Sequence, residues 1–217
     1  MELYFTRHGR TEWNKELRFQ GSQGDSPLLL QSYQEIKELG GFIREVPFEA
    51  IYTSDAKRAQ DTAQGINACL ANPVPIIVDP GLRELGLGEL EGQLIREMQV
   101  KYPQEMQAMR EKIDEYDPSP FKGETFPDAI QRIEAVVLKA VKQAQQGPLL
   151  FVGHGASLTA AVQAMAGKPL AEARAMGGLK NNSLSIMETQ NKQLPFELVR
   201  FNDVSFLSDS DELISIP

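Results

Sequence analysis

The sequence predicts an α/β fold, a three-layer sandwich with a mostly parallel central sheet. Three observations carry that expectation. Short apolar runs alternate along the chain with stretches of helical spacing, the pattern of strands joined by crossover helices. The run Leu149-Leu150-Phe151-Val152 is apolar at every position, as a strand covered on both faces must be. A chain of 217 residues with 41% apolar side chains suits a single domain (1–217) with a sizeable core.

The elements follow in order. Leu3-Tyr4-Phe5 reads as the first strand. Tyr33, Ile36, Leu39, Ile43 and Val46 recur at helical spacing, with Gly40-Gly41 as an interruption inside the helix. Ala50–Thr53 is the second strand. Ser54 stands where an N-cap belongs, so the next helix is expected from Asp55, through Ala56, Ala59, Ala63, Ile66 and Leu70. Pro75–Val78 is a third strand, closed by Asp79-Pro80-Gly81. From about 93 to 126 the chain changes character. Met98, Met106 and Met109, many charges and Asp117-Pro118-Ser119-Pro120 indicate a small helical excursion. Its aromatics, Tyr102, Tyr116, Phe121 and Phe126, either roof a pocket with the methionines or pack the excursion down. Its lysines, Lys101, Lys112 and Lys122, either grip a second acidic group or lie on the surface. A long amphipathic helix starts at Pro127, runs through Ile130, Ile133, Val137, Val141 and Ala144, and stops at Gly147-Pro148. The buried strand from Leu149 ends in Gly153-His154-Gly155, and Leu158 to Met165 continues as a helix. Ser183–Glu188 and Phe196–Phe201 are late strands, and Ser208–Glu212 is a polar, loose tail.

Composition narrows the function. The net charge is −8, from 22 basic and 30 acidic side chains. That excludes nucleic acid and anionic membrane as main partners, since both demand an extended basic surface. A small anionic substrate stays open, because local arginines dominate within a screening length of about 8 Å. No apolar run approaches the roughly 18 residues of a membrane span. Met1-Glu2-Leu3 lacks the basic start of a signal peptide. The single cysteine, Cys69, cannot close an internal disulfide and sits on what reads as a helix face. It is expected to be a buried thiol in a cytoplasmic protein.

The chain has two histidines, and both lie just past the carboxyl end of a strand, each followed by glycine. In α/β sheets ligands bind at that edge. If the two strands are neighbours, the imidazoles of His8 and His154 meet. Two histidines are too few for a typical zinc site, and the fixed cation of Arg7 repels a metal. It favours an anion, for which a guanidinium offers a bidentate fork. Arg58 stands in the first turn of a helix that also follows a strand. Basic residues there oppose the helix dipole, and binding an anion would justify Arg58; Lys57 is left as a surface residue.

These residues resemble the histidine phosphatase superfamily, the phosphoglycerate mutase-like family. The likeness is carried by Arg7-His8-Gly9 with Thr11 and Asn14, Arg18-Phe19-Gln20-Gly21, Ser54-Asp55 with Lys57-Arg58-Ala59 and Thr62-Ala63, Leu82-Arg83-Glu84 with Gly88, Glu91 and Gly92, and Gly153-His154-Gly155. The resemblance implies a phosphoglycerate mutase-like fold and a small phosphorylated substrate. It needs no metal or organic cofactor and leaves a homodimer open. It implies that His8 is the nucleophile, forming a phosphohistidine, and that Arg7, Arg58 and His154 clamp the phosphoryl oxygens. Asn14, Gln20, Gly21 and Gly155 would line the phosphate pocket. Glu84 would be the general acid and then the base that activates water. By spacing alone Glu89 and Glu91 compete with it.

Family members either hydrolyse phosphomonoesters or move phosphate between positions of one substrate. The segment Leu82–Gly92 resembles the phosphatase branch. Ser22-Gln23-Gly24-Asp25-Ser26-Pro27-Leu28 departs from the mutase pattern. The expectation is a metal-independent phosphatase. A phosphoglycerate mutase, a non-catalytic phospho-ligand sensor and a metal-dependent hydrolase are the alternatives.

Overall fold

The structure is a computed structural model that describes residues 1–145 and 147–208. The acidic residues 209–212 of the expected loose tail lie outside the described residues. In chain order the elements are β1 (Glu2–Arg7), α1 (Glu12–Lys15), α2 (Leu30–Phe42), β2 (Ala50–Thr53), α3 (Lys57–Asn67), β3 (Ile76–Val78), α4 (Ile95–Lys101), α5 (Pro103–Glu111), α6 (Phe126–Gln143), β4 (Leu149–Gly153), α7 (Ala156–Met165), β5 (Leu184–Glu188) and β6 (Glu197–Asp203). Among the described residues, no helix is long and apolar enough to cross a membrane.

The strands form one mixed sheet in the order β3-β2-β4-β1-β5-β6. The first four of that order run parallel; β5 is antiparallel to β1 and β6 to β5. The alternation within the two central strands explains the three layers. Leu3, Phe5, Leu149 and Phe151 point to one face, where they meet Ile133, Val137 and Val141 of α6 and Leu158 and Val162 of α7. Tyr4, Leu150 and Val152 point to the other, against Ile36 and Leu39 of α2 and Ala63 and Ile66 of α3. The excursion builds a third cluster. Met98, Met106 and Met109 are buried with Phe19, Leu85, Leu87, Phe121 and Phe126, so these methionines form a core of their own.

Several boundaries differ from the sequence reading. Helix α2 ends at Phe42, with Ile43 as its C-cap, and Val46 lies beyond it. Gly40-Gly41 does not break the helix. A Cβ on Gly40 would fall 2.7 Å from Cβ of Cys69, and one on Gly65 would fall 2.6 Å from Cγ2 of Ile36. The two glycines are the price of a close α2–α3 approach. Cys69 sits at that approach after the end of α3 and is half-buried, rather than buried. Helix α3 begins at Lys57, not Asp55. Ser54 does not cap it; its hydroxyl accepts from the Ala56 N–H, which holds a turn ahead of the helix. Helix α6 has Thr125 as N-cap and Pro127 in its first turn, and it ends at Gln143, before Gly147-Pro148. There the Glu49 carboxylate accepts from the N–H groups of Gln145 and Gly147.

The contrast within Gly40-Gly41 is testable. Gly41 has nothing within 4 Å of a built Cβ. Gly41→Ala is expected to stabilise the protein by about 0.5–1 kcal/mol, through helix propensity. Gly40→Ala is expected to cost about 1–3 kcal/mol by overpacking against Cys69. Chemical denaturation of both variants reads the difference, and two changes of the same sign would refute the packing account.

Candidate active site

Strands β1 and β4 are neighbours, with Phe5 opposite Phe151 and Arg7 opposite Gly153. The ladder runs one residue further, as the His8 N–H donates to the Gly153 carbonyl at 3.0 Å. Both histidines therefore leave the sheet at the same edge. Their ring centroids are 5.1 Å apart with the planes at 64°. The backbone around His8 is held from two more sides. Asn181 Nδ2 donates to the His8 carbonyl at 2.8 Å, and the Gly9 N–H donates to Thr62 Oγ1 at 3.0 Å.

The ring hydrogen bonds define the tautomers. His8 Nδ1 lies 2.7 Å from the Gly9 carbonyl, which only accepts, so Nδ1 carries the proton. Nε2 is then the bare nitrogen, and Arg58 Nε donates to it at 3.2 Å. Arg58 Nη2 donates to His154 Nδ1 at 3.1 Å, which leaves the His154 proton on Nε2. Burial first, then the cations Arg58 and Arg7, push the pKa of His8 well below its ordinary value. His154 is pushed down by burial, Arg58 and its histidine neighbour. Both rings are thus held neutral.

Arg58 is 2% exposed, and every N–H direction of its guanidinium is used. Besides the two imidazoles it donates to the carbonyls of Gly21 and Gly24 and to the Asp25 carboxylate. Arg7 is also buried, but only Nη1 has a protein partner, the Leu179 carbonyl at 2.8 Å. Arg7 Nε and His154 Nε2 are buried and have no hydrogen-bond partner. Buried orphan donors are rare and ask for a ligand. The glycine after His154 makes room for the cation: a Cβ on Gly155 would lie 2.9 Å from Cζ of Arg7. Close packing, rather than a turn, explains that glycine, since its φ is −76°.

Glu84 closes the site. Its carboxylate is buried and accepts from the N–H groups of Leu85, Ala156 and Ser157 at 2.8–3.0 Å, the last two at the start of α7. Burial works to raise its pKa, yet these three hydrogen bonds and Arg7 hold it below the ordinary carboxylate range. Its sequence rivals are elsewhere. Glu89 is exposed and pairs with Lys122. Glu91 accepts from the backbone of Gln23, Gly24 and Leu87 and so shapes the loop that receives Arg58.

Arg7, His8, Asn14, Gln20, Glu84 and Gly155 line one small cavity with Arg18, Phe19, Leu87, Met109 and Ala156. Asn14 accepts the Thr11 N–H, while Gln20 bridges the hydroxyls of Thr11 and Ser26. Arg58, His154 and the Gly21 carbonyl stand behind His8 rather than on that wall. The expected roof is smaller than its candidates. Met109 and Leu87 reach the cavity, whereas Tyr116 packs on Phe126 and Tyr102 on Phe121. The excursion lysines lie apart from it: Lys112 pairs with Glu115, Lys122 with Glu89, and Lys101 sits over the Tyr102 ring.

Several site residues escaped the sequence reading. Asn181 carried no local signal, because its partner His8 is 173 positions away. Arg132 lay on a helix legible only as amphipathic. Its guanidinium donates to the carbonyls of Gly81, Arg83 and Glu84, and so fixes the loop that presents Glu84.

The sequence and the fold both have known relatives. Residues 3–204 match the model of the histidine phosphatase superfamily (branch 1). Curated relatives include a "probable phosphoglycerate mutase GpmB" from Enterobacter sp. (strain 638), 32% identical over 193 residues, 88% of this chain and 86% of the relative. One of the same name from Proteus mirabilis is 30% identical, covering 96% of both chains. Among solved structures, Bacillus stearothermophilus YhfR superposes with a TM-score of 0.86 at 33% identity, over 94% of this chain and 98% of its own. A mycobacterial glucosyl-3-phosphoglycerate phosphatase, solved with VO3, gives 0.81 at 26%, over 93% and 98%.

The tautomers can be checked directly. At pH 6, below the ordinary histidine value of 6.5, both rings are expected to be neutral, protonated on Nδ1 in His8 and on Nε2 in His154. Nitrogen-15 NMR of the two side chains reads this, and imidazolium signals at pH 6 would contradict it. The sign for stability follows. Both histidines have depressed folded pKa values, so below about 6.5 the unfolded chain binds more protons and stability is lost as the pH drops.

Proposed function

The chain belongs to the histidine phosphatase superfamily, and from that premise we propose that it is a phosphatase acting on small phosphomonoesters through a phosphohistidine at His8. One observation carries the reading. An imidazole nitrogen is held bare and neutral between cations, beside orphan donors and a buried carboxylate. That is what an in-line attack on phosphorus requires.

In the first step Nε2 forms a bond to phosphorus and the ester P–O bond breaks. The departing oxygen takes a proton from Glu84. In the second, the Glu84 carboxylate takes a proton from water, the resulting hydroxide attacks phosphorus, and the P–N bond breaks to release phosphate. Arg7 Nε and His154 Nε2–H are the donors free to receive phosphoryl oxygens as charge builds on them. Arg58 joins them by exchanging its bond to Nε2 for one to the phosphoryl group, because attack needs the lone pair that Arg58 occupies. Asn14, Gln20 and Gly155 on the cavity wall complete the phosphate pocket, and Gly21 supports it from behind by accepting from Arg58.

Three N–H donors keep Glu84 ionised in the resting site. The proton for the leaving oxygen therefore enters with the substrate, as a phosphate monoanion, and passes through Glu84. Since the second pKa of a phosphomonoester is about 6, kcat/KM is expected to fall as pH rises past it. A rise from pH 6 to 8 would overturn this proton route.

A second reading, phosphoglycerate mutase, draws on the names of the curated relatives. The phosphatase reading draws on the phosphatase among the structural neighbours, on a segment around Glu84 like that of the phosphatase branch and on the departure of Ser22–Leu28 from the mutase pattern. A cytoplasmic location and function as a homodimer are part of the same proposal.

The test is p-nitrophenyl phosphate hydrolysis in excess EDTA. Turnover is expected to survive chelation and to vanish in His8→Ala. Glu84→Gln is expected to lower kcat by about 10²–10⁴. With this good leaving group it should release a burst of nitrophenolate and accumulate acid-labile phosphohistidine. Activity persisting in His8→Ala would sink the mechanism.

A further inference from the structure

Arg174 lies in the loop between α7 and β5, just past a 3₁₀ turn at Leu170–Glu172. The residue is partly exposed, yet its Nε and Nη2 are sealed from solvent and have no hydrogen-bond partner. Among the described residues no carboxylate is within ion-pair distance of it. A guanidinium with two orphan N–H atoms is an unusual thing to bury without an anion.

Its position gives the orphan donors a meaning. Arg174 and Arg7 bracket one stretch of backbone. Arg7 Nη1 holds the Leu179 carbonyl. Arg174 packs on Gly178 so closely that a Cβ there would lie 2.8 Å from its Nη1. Thr159 of α7 pins the same stretch by accepting the Leu179 N–H. The field of Arg174 reaches Arg7, and that of Glu84 reaches Arg174. Arg174 also lines a second, larger cavity of about 430 Å³, together with Arg110, Glu111 and Gly178. Helix α5 contributes to both cavities, Met109 to the first and Arg110 to the second. The second cavity thus offers two arginines against one glutamate.

We infer that Arg174 is a specificity residue that binds a second anionic group of the substrate, a carboxylate or second phosphate carried a few bonds from the phosphoryl group on His8. The inference rests on the proposed phosphoryl site only in taking His8 as the place where the first group sits. It assigns the substrate class as a phosphorylated acid or a bisphosphate rather than a neutral phosphorylated alcohol. Arg174 touches neither reacting atom and takes no part in the bond changes.

The test compares ligands that differ only in the second group. 3-Phosphoglycerate, glycerol 3-phosphate and glycerol 1,3-bisphosphate are measured as competitive inhibitors of p-nitrophenyl phosphate hydrolysis. A charge-assisted pair to Arg174 is expected to favour one of the two ligands with a second anionic group over glycerol 3-phosphate by about 10- to 100-fold. A preference for the first or the third separates carboxylate from phosphate recognition. Arg174→Met should abolish the preference, Arg174→Lys should restore part of it, and kcat for p-nitrophenyl phosphate and inhibition by inorganic phosphate should not change. Equal affinity for all three ligands in the wild-type protein would overturn the assignment. So would an Arg174→Met variant that loses kcat with its ligand preference intact, which would make Arg174 a positioning residue for Glu84. If the wild-type protein does not hydrolyse p-nitrophenyl phosphate, the phosphatase reading fails. The same ligands measured by calorimetry then decide Arg174 independently.

Discussion

The rest of the site depends on one buried cation. Burying an isolated guanidinium is prohibitive unless each N–H finds an acceptor. Arg58 finds five: two imidazole nitrogens, two carbonyls and the Asp25 carboxylate. Each acceptor is then constrained in turn. The carbonyls of Gly21 and Gly24 must point inward, so the loop carrying them must bend tightly. Glu91 holds that loop, and neither position has room for a side chain: a Cβ on Gly21 would lie 2.4 Å from Glu91 Oε1 and one on Gly24 2.7 Å from Trp13 Cζ3. The two histidines must present bare nitrogens to a donor, which selects opposite tautomers in the two rings.

That selection sets the chemistry. An imidazole that accepts from an arginine cannot also be protonated there, so the cation enforces a neutral nucleophile. Glu84 faces the complementary constraint. It is a buried carboxylate at the start of α7, where N–H groups and the helix dipole favour negative charge. Arg132 anchors the loop before it through three carbonyls. Cation and anion are thus each satisfied by the fold before any substrate binds. What remains unsatisfied, Arg7 Nε and His154 Nε2, marks where an incoming anion belongs.

The sheet and its two layers were legible because the signals are local. An unalternating strand such as Leu149–Val152 and the periodic face of α6 declare themselves within a few residues. His8 and His154 were legible because both follow such strands, and strand ends define the binding edge. The start of α3 was misread because Ser54 has the chemistry of an N-cap but spends its hydroxyl on the turn before the helix. The glycines of α2 looked like weak points because their reason lies across space, in Cys69. Asn181 and Arg132 were invisible for the same cause. Their partners are remote in sequence, and nothing in their neighbours distinguishes them from surface residues. Roof and packing could not be told apart from the sequence, because an aromatic that fills a satellite core and one that lines a pocket have the same sequence signature.

The choice between water and a second hydroxyl as phosphoryl acceptor is, in this geometry, a question of residence time. In the proposed mechanism the histidine, the arginines and Glu84 serve either acceptor equally, since Glu84 would deprotonate whichever hydroxyl is nearest. A dephosphorylated product held only through the phosphoryl group loses its grip once that group is on His8. Water then takes its place, and hydrolysis follows. A product still held by a second anion at Arg174 stays beside the phosphohistidine and can turn to offer another hydroxyl. On the proposed role of Arg174, the interaction that selects a substrate also tunes the balance between hydrolysis and transfer. Weak retention at Arg174 favours a phosphatase and strong retention a mutase, with no change in any residue that touches phosphorus.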